Sequence, residues 1–386
     1  MFRKTIVLLG LLSLIACTKE PITQIQQPLQ ITELRTADEV LQFAQQEMPE
    51  AFPPEEIARI KSLLNDEDML EFRSGNTVTV PAGSVDALAD AIAEAGEGGT
   101  VVLESGMHTE NNRVVLNIPI KLTGEPDAVL VVHSPDARSY VNDPGILIEA
   151  DKVEISNIHF LPDTDLGGNC IWIHSADKVN IHHNNFDLFE LSIINDAGDQ
   201  MRVHANTIVG ADIWLSDFSV EVHGVINMNG RSASITNNNV TGCIFGIWSC
   251  DKGGINMGNE TSACLYGQIL CNVPEDIYTD PYGNLTGSHN PGNHWILALN
   301  NSHDNYDTGF VIIDGANYNL LVSNKAADNA NYDFEFTKDT DRFGFLVPGS
   351  HDNRGYFKTG QIVKDCGVDN KIYGGDKVDT SIDACY

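Results

Sequence analysis

The sequence predicts an all-β solenoid, a parallel β-helix, with a short helical segment at its N-terminal end. Three observations carry this. Short apolar strands recur from residue 145 onward, and asparagine returns at one place in the repeat. The central apolar residues Ile155, Ile181, Val203, Ile235, Leu297 and Leu321 also follow one another in nearly equal steps, two excepted. A step of that size suits one coil of three short strands, whose alternate residues point inward and stack on the next coil.

The elements ahead of the repeat follow in chain order. Arg3 and Lys4 give a basic start, Ile6–Ile15 an apolar run shorter than a membrane span needs, and Leu14-Ile15-Ala16-Cys17 closes it. That succession resembles a bacterial lipobox. The resemblance implies a signal peptide over 1–16, a lipid on Cys17 that anchors the chain to a membrane, and, with Thr18 next in line, an outer-membrane or cell-surface lipoprotein. An ordinary secretory signal is the alternative. Residues 17–35 then read as the lipidated cysteine and a polar tether. Residues 36–74 read as the helical segment, from the spacing of Val40, Leu41, Ala44, Ile57, Ile60, Leu63 and Leu64; Pro54 suits a first helical turn. The β-helix is expected over 75–386. It opens with a cap helix near 84–95, started by Ser84 and ended by Gly96, and with strands around Thr100–Leu103 and Val114–Leu122.

Within the repeat, each unit starts on an apolar strand with a polar end: Ile146–Glu149, Ile171–His174, Ser192–Asn195, Ile213–Ser216, Phe245–Trp248, Phe310–Asp314 and Phe334–Thr337. A second strand follows a tight turn, at Val153–Asn157, Val179–Asn184, Met201–Asn206, Ala233–Asn238, Trp295–Asn300 and Asn319–Asn324. Asparagine recurs at 184, 206, 238, 300 and 324, where it suits the left-handed backbone of a corner and can hydrogen-bond up the stack. The two long steps, Val203 to Ile235 and Ile235 to Leu297, predict one small and one large excursion, the large one near 243–293.

These residues, with Gly98–Leu103 and Asn117–Gly124, resemble the right-handed parallel β-helix proteins of the pectin-lyase-like superfamily over about residues 75–375. The resemblance implies the fold and points to the outer face of the first strand of each coil as the place for a site. It leaves the activity open, since the architecture carries lyases, hydrolases, epimerases, esterases, adhesins and inert stalks.

Composition narrows the partners. With 23 Lys+Arg against 54 Asp+Glu the formal charge is −31, and −33 once residues 1–16 are removed. That opposes a nucleic-acid partner, whose phosphates need a basic footprint, and an anionic lipid surface. Beyond Cys17 there are seven cysteines, for which pairs 243/250, 264/271 and 366/385 are the expectation in an oxidising compartment. The four central cysteines are spaced too widely for a structural zinc site.

Alternation sets the candidate site. If Ile173, Leu215 and Ile247 point inward, then Trp172, His174, Trp214 and Trp248 point outward together. Indoles on one face suit sugar rings, so an extracellular glycan is the expected partner; a loop covering them as secondary core is the alternative. Nearby lie Asp196, Asp199, Asp212, Asp217, Glu221 and Asp251. Asp196, Asp199, Asp217 and Asp251 are the candidate ligands for calcium, a cation that takes six to eight oxygens; a solvated acidic surface is the alternative. Asp196 and Asp217, about one coil apart, are the candidate catalytic acids. Arg202, Arg231 and Lys252 are the candidate cations for a lyase acting on uronic acids. The Arg-x-Pro-x-x-Arg-like string of pectate lyases is missing, which argues against a direct transfer of that chemistry. His182 and His183, being adjacent in a strand, are expected to face opposite sides. The expected function is a surface-anchored polysaccharide-binding or polysaccharide-processing protein, by a lyase or a hydrolase route if it is an enzyme. A non-catalytic adhesin or scaffold is the alternative.

Overall fold

The computed structural model describes residues 34–65, 75–134, 144–215, 222–228, 230–250, 252–271, 294–342, 345–347, 349–378, 380 and 385. The leader, Cys17, Asp217, Glu221 and Asp251 lie outside the described residues, as do the side chains of Asp212 and Asp341.

The chain forms a right-handed parallel β-helix. Its strands stack in three sheets, and every coil visits them in the same order. Sheet 1 runs from Val114–Leu116 through Ile146–Ile148, Gly167–His174, Phe189–Asp196, His223–Met228, Phe245–Ser249, Tyr266–Cys271 and Thr308–Ile313 to Tyr332–Phe336. Sheet 2 starts at Thr77–Val80 and Gly99–Leu103 and includes Asn180–His182, Arg202–His204, Arg231–Thr236, Lys252–Met257, Trp295–Ala298 and Leu320–Val322. Among the described residues sheet 3 has nine strands, from Gly106–Glu110 to Lys325–Ala327. The long strand Arg354–Asp365 turns a corner and pairs into both sheets 1 and 2. Among the described residues one pair is antiparallel, the hairpin Thr340–Arg342 with Phe345–Val347.

The core is the inside of the coil. Ile171, Ile193, Val225 and Ile247 lie in register on the inner face of sheet 1, each fully buried. Phe160 stacks on Phe186 at 4.9 Å in sheet 3, and Phe310 on Phe334 at 4.8 Å in sheet 1, with their planes nearly parallel. Equal residues one coil apart meet face to face because the coil rise is the strand spacing of about 4.8 Å.

The asparagine at the corner between sheets 2 and 3 forms a continuous ladder. Asn184, Asn206, Asn238, Asn259, Asn300 and Asn324 each sit 1–2% exposed. From Asn206 onward the Oδ1 of each accepts both the backbone N–H and the Nδ2–H of the rung before it, at 2.9–3.1 Å. Each Nδ2 of the first five rungs also donates to a main-chain carbonyl. The left-handed residue is the one before the rung: His183, Ala205, Asn237, Gly258, Leu299 and Ser323 have φ of 54–69°. The ladder position therefore selects Asn for its side-chain hydrogen bonds, and the bend falls on a neighbour of almost any type.

Asn259 was not among the expected rungs, and it resolves the long step from Ile235 to Leu297. Residues 245–271 supply four strands, Phe245–Ser249, Lys252–Met257, Glu260–Ser262 and Tyr266–Cys271, all paired into the stack. That step thus holds a whole further coil. Residues 272–293 are outside the described residues.

Two helices lie on the outer face of sheet 2. Helix α1 (Ala37–Glu47) starts with a capping box in which Thr36 and Glu39 exchange hydrogen bonds. Helix α2 (Pro54–Leu64) starts at its proline, as expected. Val40, Leu41, Phe43, Ala44, Phe52 and Ile60 pack on Ile255, Ile296, Ala298, Leu320 and Val322, outward residues of sheet 2. A third helix, α3 (Leu88–Ala95), covers the first coil. It begins later than the sequence suggests, because Ser84 bonds Pro81 O, while the buried Glu110 caps from another strand, its carboxylate accepting the Ala87 and Leu88 N–H groups at 3.0 Å. Burial pushes the Glu110 carboxyl above its ordinary value, against these hydrogen bonds.

Candidate functional site

The outer face of sheet 1 carries one row of large apolar residues. Leu147, Trp172, Ile194, Ile226, Trp248, Ile269 and Val311 lie in register, one per coil. Trp172 and Trp248 are half-buried, and Ile194 and Ile226 between them are 3–4% exposed. Two of the three expected tryptophans thus share a row.

Trp214 does not join it. The expected strand Ile213–Ser216 is instead a short 3-10 turn, Asp212–Leu215, and the sheet 1 strand of that coil is His223–Met228. Trp214 is 1% exposed, packs in the main core, donates its indole N–H to Gly242 O at 3.1 Å and meets Tyr306 edge-on. Leu215, expected inward, is exposed. Four apolar-polar residues in a row mimicked a strand, and only the register of the next coil separates the two.

A second line of rings flanks the row. His223, Phe245, Tyr266, Thr308 and Tyr332 are in register, each at the start of its strand. Strict alternation would turn His223 and Phe245 inward with Val225 and Ile247. Their rings nevertheless lie 5.8 and 5.1 Å from Trp248, and Phe245 lies 5.8 Å from Tyr266. Glycine follows each of the first four: Gly224, Gly246, Gly267 and Gly309, and the pairing register skips these positions. A Cβ on Gly224 would meet Gly246 O at 2.4 Å, and one on Gly246 would meet Gly267 O at 2.5 Å. The glycines let the strand starts bend and bring the rings to the tryptophan. The signal was present in the sequence as an aromatic or His before Gly, at His223-Gly224, Phe245-Gly246 and Tyr266-Gly267. Phe245 starts an expected strand but was not among the expected site residues.

Polar groups edge this face. His174 Nδ1 lies 3.7 Å from Asp196 Oδ2, the two residues being in register, and the His174 ring is 4.9 Å from Trp172. Near the C-terminal end, Lys364 pairs with Glu335 at 2.9 Å and sits 4.7 Å above the Tyr332 ring.

The other expected site residues lie elsewhere. Arg202 is 4% exposed in sheet 2, and Arg231 and Lys252 are exposed and paired in register at strand starts of the same sheet. None of the three lies in the sheet of the tryptophans. Asp199 sits at the corner between sheets 1 and 2, where its N–H donates to Asp177 Oδ1, and the Asp177 N–H donates to Asp151 Oδ1. Burial, and then Asp177, raise the Asp199 carboxyl above its ordinary value. Asp199 is thus bound into a corner ladder apart from the Asp196–His174 pair. Among the described residues no group of three or more His, Cys, Asp or Glu is arranged for a metal ion. Asp196 and Asp199 do not by themselves make the oxygen-rich set that calcium needs.

His182 and His183 both reach the outer side of sheet 2, against expectation, because the left-handed φ of His183 breaks the alternation. Their Nδ1 atoms are 2.8 Å apart, His182 stacks on His204 at 4.8 Å, and His182 Nε2 lies 3.1 Å from Glu154, which also holds Lys121 at 2.8 Å. Burial opposes the Glu154 charge, but His182 and Lys121 keep its carboxyl below the ordinary value.

The cysteines pair across coils. Cys250 bonds Cys271, and Cys366 bonds Cys385, while Cys170, Cys243 and Cys264 are buried thiols. The expected 243/250 and 264/271 links would run along a coil, where the strand holds its ends apart. One coil further on, Cys271 instead comes to a Cα separation of 4.5 Å from Cys250.

The fold and this face define a parallel β-helix protein with an outward aromatic strip on one sheet. No protein-family model matches the sequence, and neither does any curated protein. Among solved structures the chain is similar to the Dettilon tailspike protein, with a TM-score of 0.44 and 12% identity over 78% of this chain and 62% of that one. It thus spans less than two thirds of the tailspike's length. The endo-xylogalacturonan hydrolase of Aspergillus tubingensis gives a TM-score of 0.43 at 12% identity, covering 78% of this chain and 93% of that one. The A-module of the Azotobacter vinelandii mannuronan C-5 epimerase AlgE6 gives 0.39 at 15% identity, covering 76% and 90%.

Proposed function

We propose that the protein binds an extracellular polysaccharide along the outer face of sheet 1. One observation carries the reading: Trp172 and Trp248 stand half-exposed in one outward row, with Phe245 beside Trp248 and Tyr266 beside Phe245. Flat rings set three coils apart along one outward row suit the apolar faces of sugars along a chain, and a surface strip of large apolar rings invites aggregation unless a ligand uses it. A charge of −31 repels polyanions, so a neutral glycan is the favoured ligand. Processing would rest on His174 with Asp196 as the proton-handling pair. The basic start, the apolar run and Cys17 support an anchor at the bacterial cell envelope.

The test is binding of a glycan panel, neutral and uronate, by calorimetry. Trp172→Ala and Trp248→Ala should each weaken the best ligand about tenfold. Unchanged affinity in both would remove the reading. Release of reducing ends or of unsaturated products, lost in Asp196→Asn, would make the protein an enzyme. A non-catalytic adhesin or scaffold is the second reading, favoured by the placement of Arg202, Arg231 and Lys252 on a different sheet from the tryptophans. Cys17→Ala should move the protein from the membrane fraction to the soluble one.

A further inference from the structure

The strands Phe245–Ser249 and Tyr266–Cys271 are neighbours in sheet 1, and a cysteine stands at each end of both. At their far ends Cys250 and Cys271 are joined. At their near ends stand Cys243 and Cys264, also one coil apart in the chain. The register fixes this second pair. Thr241 pairs with Ser262 before it and Phe245 with Tyr266 after it, both at the same offset as Cys243 and Cys264. The Leu265 N–H bonds Cys243 O at 2.9 Å between them. The two side chains repeat one conformation. Cys243 Sγ contacts Thr241 O at 3.6 Å and Cys264 Sγ contacts Ser262 O at 3.3 Å. Both are fully buried in the core, each thiol turned toward the carbonyl two residues before it. In-register neighbours of parallel strands have Cα atoms about 4.8 Å apart. That lies inside the range of roughly 4.4–6.8 Å that a disulfide spans.

We propose that Cys243 and Cys264 are a third disulfide site, so that these two strands are clasped covalently at both ends, once inside the coil and once outside. Closure is a two-electron oxidation. One thiolate attacks a disulfide of a dithiol-oxidase-type oxidant, the same class of reagent that closes Cys250–Cys271. The second thiolate then displaces the oxidant's sulfur. One protein S–S bond forms, the oxidant's S–S bond becomes two thiols, and they take up the two protons. The partner thiol, and then burial, hold the folded Cys243 thiol well above its ordinary value, so the exchange belongs to the stage before the coils close. Cys170, buried with no cysteine in register, stays a thiol. The inference does not depend on what the outer face binds, although Phe245, Trp248 and Tyr266 all ride on the clasped strands.

Mass analysis of the full protein, produced through an oxidising compartment, tests it. The protein is denatured without reductant in an alkylating reagent and then cut with trypsin. Cleavage after Arg231, Lys252 and Lys325 leaves Cys243 with Cys250 on one peptide and Cys264 with Cys271 on the other. The expected product is one linked species, four hydrogens lighter than the two reduced peptides and free of alkyl groups. Chymotryptic cuts at Trp248 and Tyr266 should then separate a 243–264 link from a 250–271 link. A linked species only two hydrogens lighter and carrying two alkyl groups would overturn the proposal, as would two unlinked peptides or a 243–271 link. The double variant Cys243→Ser, Cys264→Ser should melt several degrees below the oxidised wild type and match it once both are reduced. If that variant does not fold, the wild-type masses still decide.

Discussion

Trp248 donates its indole N–H to Cys271 Sγ at 2.9 Å, so the most crowded ring of the outer face is tied to the disulfide one coil further on. His223 stacks on the same ring, with 20° between the planes. The ring is therefore pre-positioned, and a sugar stacking on it would give up little side-chain freedom in the protein.

The three tryptophans should separate by assay. Trp214→Ala removes a side chain buried in the core and should cost about 3–5 kcal/mol of stability. Trp172→Ala and Trp248→Ala remove half-buried rings and should cost less stability but more glycan affinity. Chemical denaturation and calorimetry on the same three variants check the split.

The asparagine ladder predicts a graded loss. Asn206→Ala leaves the buried Asn184 N–H without its acceptor and takes a donor from Asn238. The expected cost is about 2–3 kcal/mol, from one orphaned buried donor plus lost bonds. Asn324→Ala, at the end of the run, should cost less. Urea unfolding of the two variants gives the comparison.

Glycine placement predicts a contrast between two Gly→Ala variants. At Gly246 a methyl group would meet a backbone oxygen of the next coil at 2.5 Å, so the coils must part, at about 2 kcal/mol or more. At Gly83 nothing lies within 4 Å, and the φ of +81° alone should cost about 1 kcal/mol. Melting temperatures of the two variants test the order.

The His303 site predicts a pH dependence. Hydrogen bonds that the ring donates to Asp304 first, then to Glu260, raise the imidazole above its ordinary 6.5. A raised histidine binds its proton more tightly in the folded state. Its contribution is complete below pH 6.5 and fades as pH rises through the folded value. Stability measured against pH should decline less across that window in His303→Gln than in the wild type.

Much of the fold was legible because a solenoid writes itself into sequence as a period. Ile171 and Ile247 are core by alternation alone, and Asn184 to Asn324 mark the corner. What period could not supply was register. Asn259 went unseen because Met257-Gly258 precedes it in place of an obvious strand end. Ile213-Trp214-Leu215 looked like a strand because local polarity is blind to which coil is already filled. The site was half legible. Trp172 and Trp248 followed from parity, while Phe245 and His223 break parity through the glycines after them. The 366/385 pair was legible, while Cys250–Cys271 needed the third dimension, since neighbours across coils stand a whole coil apart in the chain.

Helices α1 and α2 precede the first coil in sequence yet are fastened much further along the solenoid. The Leu34 N–H bonds Ser323 Oγ, Arg354 donates to Glu47 O, and the Tyr356 hydroxyl donates to Glu47 Oε2 at 2.5 Å. A pull applied at residue 34 would therefore not peel the first coil away like the end of a spring. It would enter along a broad apolar face lying over residues 255–322, where many contacts must slide at once. Traction on the N-terminal end loads the molecule in shear, the direction in which stacked coils share the force.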